Sequence, residues 1–217
     1  MAGPSKAWFE LPESASLDIG RIETYLKRRT WTNYQDIGES FSGYHGIGLT
    51  SRSENPEHVN DALEVLQSVG TYESDESKSY NWQAIGVWNS NVEDYVKEVF
   101  QNLNLAPMRS RFSKLQPRTS IPPHVDDYSD RVTRLHWPIV TDEKNFFCFY
   151  DDQRVIEKVH MKVGRGYAVD TAHRHGFINF SKSVERIHFI VNVGMPFAEF
   201  SEWIKTNDLF KQEPIKK

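Results

Sequence analysis

The feature that most constrains this chain is the nine-residue run from Glu185 to Val193, ERIHFIVNV. Arg186, His188, Ile190 and Asn192 alternate in it with Ile187, Phe189, Val191 and Val193. Only an extended strand keeps two such sets on opposite faces. One face is apolar throughout and demands a cover. The other carries an arginine and a histidine, so it faces different chemistry. The run belongs to a pattern. From residue 108 onward, short segments rich in Phe, Val, Ile, Tyr and Thr are separated by Pro, Gly, Asp and Asn. Strands are expected near 108–115, 131–140, 145–150, 154–162, 166–170, 174–180 and 185–193. Asp151-Asp152 and Val163-Gly164-Arg165-Gly166 read as hairpin turns. Many short strands in succession predict a double-sheet jelly roll.

The first half has a different period. Leu17 to Arg28 (LDIGRIETYLKR) puts Ile19, Ile22 and Leu26 on one helical face. Pro56 to Leu66 opens with a proline and spaces Val59, Leu63 and Leu66 as a helix does. Asn91 to Leu103 offers an asparagine cap and an apolar stripe of Val92, Tyr95, Val96 and Phe100. Residues 43–54 and 71–80 read as polar, turn-rich loops, the first carrying an exposed loop histidine, His45. Pro196 to Phe210 reads as a closing helix. The class is mainly β with flanking helices (α+β). The expected organisation is a helical part over 1–106 packed on the core sheet, a jelly-roll core over 107–195 and a C-terminal helix in 196–217, all one structural domain.

Composition narrows the function classes. Net charge is −4, which gives no global reason to expect a nucleic-acid partner. The single cysteine, Cys148, excludes an intramolecular disulfide and a cysteine-based zinc site. It lies in the run FFCFY, where a buried inert thiol is expected. The N-terminal stretch has no apolar core of a secretory signal, and no segment reaches membrane-spanning length. The expectation is a cytoplasmic protein with no membrane partner; oligomeric state is not readable.

The chemistry lies in a constellation. Pro122-Pro123 forces an extended chain before His124. On a strand, residues i and i+2 face one side, so His124 and Asp126 can point at one ion. A second histidine, His175, follows, and a His-x10-Arg interval leads from it to Arg186. Two imidazoles and one carboxylate occupy one face of an Fe(II) octahedron and leave three positions open. Those positions suit a chelating 2-oxo acid and O2. The guanidinium of Arg186 suits the acid's far carboxylate. His173 competes with His175; His175 is preferred for its interval to Arg186 and for Gly176 beside it, which permits close approach. Arg134 and His136, two apart on an expected strand, are candidates for the metal-proximal carboxylate, and Ser113 for the distal one. The cluster Arg109, Arg111, Lys114 and Arg118 reads as a solvated strand face, with nucleic-acid demethylation as its rival reading. Trp31, Tyr34, Trp82 and Trp88 either line the cavity mouth or cover the sheet.

Ser113 to Asp126 (SKLQPRTSIPPHVD), Arg134-Leu135-His136, Asp170 to His175 and Arg186 to Val191 (RIHFIV) resemble the aspartyl/asparaginyl β-hydroxylase family. The resemblance covers residues 107–194. It implies Fe(II)/2-oxoglutarate oxygenase chemistry on a double-stranded β-helix of cupin-like form. It implies a metal on His124 and His175, the distal 2-oxoglutarate carboxylate on Ser113 and Arg186, and Arg134 and His136 at the other end of the cosubstrate. The chain departs from the family twice. The animal member has no carboxylate where Asp126 stands, so the full His-Asp-His set resembles bacterial members, some of which hydroxylate free amino acids. Pro117-Arg118-Thr119 stands where the family often has Pro-Gly-Thr. The implied reaction is hydroxylation of an unactivated C–H bond in an amino acid, free or in a peptide or protein, with release of succinate and CO2. The competing readings are a cupin-type metal protein that does not use 2-oxoglutarate and a non-enzymatic jelly-roll binding module.

Overall fold

The computed structural model describes residues 6–34, 42–51, 86–89, 92–126 and 129–207. The helix expected over Pro56 to Leu66, the segment 71–80 and Trp82 lie outside the described residues. Thirteen strands are described: β1 (Trp8–Glu10), β2 (Thr32–Asn33), β3 (Tyr44–Gly48), β4 (Thr50–Ser51), β5 (Val87–Trp88), β6 (Met108–Leu115), β7 (Ser120–His124), β8 (Thr133–Val140), β9 (Asn145–Asp151), β10 (Arg154–Val159), β11 (Tyr167–Val169), β12 (His175–Asn179) and β13 (Arg186–Val193). The helices are α1 (Ile19–Leu26), α2 (Asp94–Asn102) and α3 (Phe197–Thr206).

Two antiparallel sheets form the jelly roll. The major sheet runs β1-β11-β8-β13-β6-β3-β2 and the minor sheet β10-β9-β12-β7. Strand β13 lies at the centre of the major sheet, between β8 and β6, and every one of its residues is buried. Its alternation is resolved as the sequence demands. Ile187, Phe189, Val191 and Val193 enter the core beneath the helices. There Phe189 meets Phe112, Trp137 and Phe100 at ring distances of 5.1, 5.6 and 5.7 Å. Ile22, Tyr25 and Leu26 of α1, Val96 and Phe100 of α2, and Phe200 and Ile204 of α3 supply the covering side. Trp137 donates its indole N–H to the Ala15 carbonyl at 2.7 Å, so this buried polar atom is satisfied. A second core lies between the sheets, built from Leu115, Ile121, Phe147, Phe149, Val159, Tyr167, Val169 and Phe177 among others. No helix of the described residues is long and apolar enough to cross a membrane.

Several expectations are corrected. Residues 43–51 are not a loop: they hold β3 and β4, and His45 is a half-buried strand residue. Glycines conceal this strand in the sequence. Gly46 carries no side chain because the Tyr34 ring fills that place, 2.5 Å from where a Cβ would stand. Residues 163–166 are not a hairpin; they carry the chain from β10 in the minor sheet to β11 in the major one. The turn is held by Gly164, at a φ of 75°, whose N–H donates to Pro138 and whose carbonyl accepts from Leu17. Helix α2 starts at Asp94 with Glu93, not Asn91, at its N-cap. The basic cluster is not a solvated face: Arg109 is buried, Arg111 and Lys114 are half-buried, and Arg118 alone of the four is exposed.

Candidate metal centre and the wall facing it

Strands β7 and β12 of the minor sheet bring two histidines together. His175 lies directly across from His124 in the antiparallel register, with ring centroids 4.4 Å apart. Gly176 makes the approach possible, since a Cβ there would meet the Ile121 carbonyl oxygen at 2.7 Å. Each ring is turned by its own backbone. The Nδ1 of His124 lies 2.8 Å from the Pro122 carbonyl, and the Nδ1 of His175 lies 2.9 Å from the His173 carbonyl. A carbonyl can only accept, so both Nδ1 atoms carry the proton and both Nε2 lone pairs are left for a metal. The Nε2 of His175 is buried and has no hydrogen-bond partner among the described residues. Phe147 stacks on the same ring at 5.3 Å and 10°.

Asp126 completes the set just beyond the end of β7, tied down by its N–H to the Thr171 carbonyl. Its Oδ1 is 3.8 Å from His124 Nε2 and its Oδ2 4.0 Å from His175 Nε2. The three candidate ligand atoms lie within 4.8 Å of one another, so one ion can touch all three. An oxygen and two imidazole nitrogens, with an orphaned buried Nε2, fit a divalent iron. Burial alone would raise the Asp126 carboxyl; the Arg134 guanidinium, then His175, His124 and Arg109, override it and hold it at about 2. Burial pushes His175 down to about 4, against the pull of Asp126. Anionic Asp126 and neutral His175 are the forms a metal needs. His173 is not brought into the set. It is 47% exposed and its ring faces Asp170 at 3.6 Å.

The wall opposite is the inner face of the major sheet, and its cross-strand rows follow the register. Tyr44, Leu115 and Arg186 form one row. Gly46, Ser113 and His188 form the next. Gly48, Arg111, Ile190 and His136 form the third, and Asn192 and Arg134 the fourth. Arg186 is 2% exposed; it contacts His188 Nδ1 at 3.2 Å and lies over the Phe177 ring at 4.4 Å. Among the described residues no carboxylate pairs with it. Burial draws it down to about 9, which Tyr44 and Cys148 offset only in part. His136 is fully buried, and neither ring nitrogen has a hydrogen-bond partner among the described residues. Burial first, then Arg186, Arg134 and Arg111, hold it well below the usual histidine range. It is therefore a neutral imidazole with a free donor and a free acceptor.

All seven candidates therefore surround one interior: His124, Asp126 and His175 on the minor-sheet side, Ser113, Arg134, His136 and Arg186 on the major sheet. Three residues near them escaped the sequence reading. Asn192 shares the parity of Arg186 and His188, a signal open to inspection. Arg111 stands two residues before Ser113 on the same face. Arg109 shares that parity too, but the sequence does not show that the strand is irregular there. Its side chain reaches the site through a β-bulge, where the register passes from Ile190–Arg111 to Asn192–Met108 and Arg109 takes a φ of 49°. Of the aromatic residues, Trp88 meets Phe100 edge-on at 5.2 Å and covers the sheet, while Tyr34 stacks on Tyr44 at 4.3 Å inside the barrel.

Solved structures place this architecture in a class, the fold of the 2-oxoglutarate-Fe(II) oxygenases. A 2OG-Fe(II) oxygenase family oxidoreductase from Burkholderia pseudomallei is 12% identical, with a TM-score of 0.51 over 87% of this chain and 84% of that one. HygX from Streptomyces hygroscopicus, solved with nickel, 2-oxoglutarate and hygromycin B, is 9% identical, with a TM-score of 0.50 over 87% and 83%. The particular family comes from the sequence: residues 52–196 match the family described as Aspartyl/Asparaginyl beta-hydroxylase, and the chain belongs to it. The match begins well before residue 107, where the resemblance was expected to start. None of the curated proteins matches the chain.

Proposed function

We propose that this chain is an Fe(II)- and 2-oxoglutarate-dependent dioxygenase that hydroxylates an unactivated C–H bond of an amino acid, free or within a peptide, with release of succinate and CO2. The observation that carries the reading is Arg186, a buried cation with no acid beside it among the described residues. A buried charge is costly unless paired, and a carboxylate of 2-oxoglutarate is the partner of matching shape. Iron, 2-oxoglutarate and O2 would together supply the oxidising chemistry; the protein orients them and excludes side reactions. His124, Asp126 and His175 would hold the metal. Ser113 and Arg186 would take the distal carboxylate, and neutral His136 would donate to the end nearer the metal. Phe147, Phe149 and Phe177 keep that interior dry. A reducing cytoplasm fits the buried free thiol of Cys148. The partner is a small molecule or peptide rather than a nucleic acid, because Arg109 and Arg111 face the interior instead of forming an outer basic stripe.

Succinate release screened over free amino acids and short peptides tests the reaction. His124→Ala, Asp126→Ala and His175→Ala should each lower succinate formation by more than about 100-fold, while His173→Ala should retain it. Activity surviving in His175→Ala but lost in His173→Ala would transfer the ligand role. Anaerobic addition of Fe(II) and 2-oxoglutarate should give a weak visible charge-transfer band, and Arg186→Gln should abolish it at moderate cosubstrate concentrations. No band at full metal occupancy would overturn the cosubstrate assignment.

A further inference from the structure

Arg134 is bound up with Asp126 rather than facing an open cavity. Its Nη1 lies 2.6 Å from Asp126 Oδ2, a charge contact. Its Nε donates to Asn192 Oδ1 at 3.1 Å. Both side chains are deeply buried, Arg134 at 5% and Asn192 at 0% exposure. The pairing follows from the sheet: Asn192 on β13 is the register partner of Arg134 on β8. The Asp126 oxygens are thereby distinguished. Oδ2 takes the guanidinium, which is fixed from behind, and lies 4.0 Å from His175 Nε2, while Oδ1 carries no arginine and lies 3.8 Å from His124 Nε2. Among the described residues the Nδ2 of Asn192 has no hydrogen-bond partner, so none of them competes on that side for the amide's orientation. An arginine with one nitrogen on an asparagine and another on a carboxylate is committed in two directions.

We propose that Asn192 and Arg134 form a positioning relay for the metal-binding carboxylate. Asn192 sets the guanidinium plane, Arg134 holds Asp126 Oδ2, and Oδ1 is presented to the metal as a single-oxygen ligand. Arg134 is then a positioning residue, not the anchor of the cosubstrate's metal-proximal end. That task passes to His136, which stands one row away with neither nitrogen partnered among the described residues. The inference rests on the metal-site reading given above and refines the role of one of its residues.

The test separates metal affinity from cosubstrate affinity. Co(II) binding to the metal-free protein is measured by competition with a chromophoric chelator, and the KM for 2-oxoglutarate is measured at saturating Fe(II). Arg134→Gln and Asn192→Ala should each weaken Co(II) binding by about 10–100-fold with little change in that KM. Arg134→Lys should recover part of the affinity, since an ammonium can pair with Oδ2 but cannot also reach Asn192. The visible spectrum of the Co(II) protein should change in Asn192→Ala, which a remote packing defect would not cause. His136→Ala should show the reverse split: a raised KM and near-normal Co(II) binding. If Arg134→Gln folds poorly, Asn192→Ala with an unchanged unfolding midpoint carries the test alone. Wild-type Co(II) affinity in Asn192→Ala, or in a folded Arg134→Gln with a raised KM, would overturn the relay. A wild-type chain that shows the affinity series but forms no succinate would overturn the oxygenase reading and support the relay. A chain that binds no divalent metal would overturn both.

Discussion

At the scale of single residues, charge and backbone decide more than residue type. Asp126 is a half-buried acid held anionic at about 2, which follows from its neighbours and not from its place in a motif. His124 and His175 are ligand candidates because two backbone carbonyls accept hydrogen bonds from their Nδ1–H groups and leave Nε2 free to bind. Arg118 shows the same precedence of backbone. It takes a φ of 60° in an exposed turn, at the place where the family often has glycine. A left-handed conformation costs a non-glycine residue about 1–2 kcal/mol, and glycine's extra freedom when unfolded returns about 0.5–1 kcal/mol of that. Arg118→Gly should therefore raise stability by about 0.5–1 kcal/mol in urea unfolding, with the turn unchanged. A loss of stability would show that the arginine side chain contributes more than its strain costs.

At the scale of elements, the sequence was legible wherever a strand had an apolar face. All seven strands expected after residue 108 are present, most within two residues of their expected ends, because inner and outer faces alternate through them. His124, Asp126 and His175 were legible as a set because strand parity and one spacing place them together. What was not legible depends on partners distant in sequence. Strand β3 is masked by glycines whose space belongs to Tyr34, and the bulge at Arg109 answers to β13 rather than to its own neighbours. The commitment of Arg134 to Asp126 likewise needs the folded register. Gly176 joins both kinds of information. Its role was visible beside His175, and the structure supplies the distance to β7. Gly176→Ala should push β12 and β7 apart, since the atom in the way is backbone. The expected cost is about 1–3 kcal/mol of stability, with Co(II) affinity reduced by at least about 10-fold because the histidines separate with their strands. Unaltered affinity would mean that the loop carrying Asp126 absorbs the shift.

At the scale of the whole molecule, the interior carries buried neutral histidines whose cost depends on pH. His136 and His188 are held well below 6.5, burial being the first cause in each and Arg186 the next. The unfolded chain binds protons at these sites near 6.5, and the folded chain does not. Their contribution is fully present above about 6.5 and is lost as pH falls below it. The slope for each is up to about 1.4 kcal/mol per pH unit. Asp126 adds a second, lower window: its folded value of about 2 lies under the ordinary 3.8, so its contribution persists until pH drops below about 4. Guanidinium unfolding of the metal-free protein should show a midpoint that falls steadily from pH 7 to pH 5. A flat midpoint over that range would contradict the buried neutral state of both rings.

The division of the centre between two sheets has a consequence of its own. The metal candidates travel with the minor sheet and the candidate cosubstrate residues with the major one, and the Asp126–Arg134 contact bridges the ligand candidates to the opposite wall. A shear of one sheet past the other by about an ångström would leave the three ligand candidates together and move the opposite wall away from them. The failure would look like idling rather than denaturation: a folded protein still able to hold a metal, with the proposed cosubstrate no longer aimed at it.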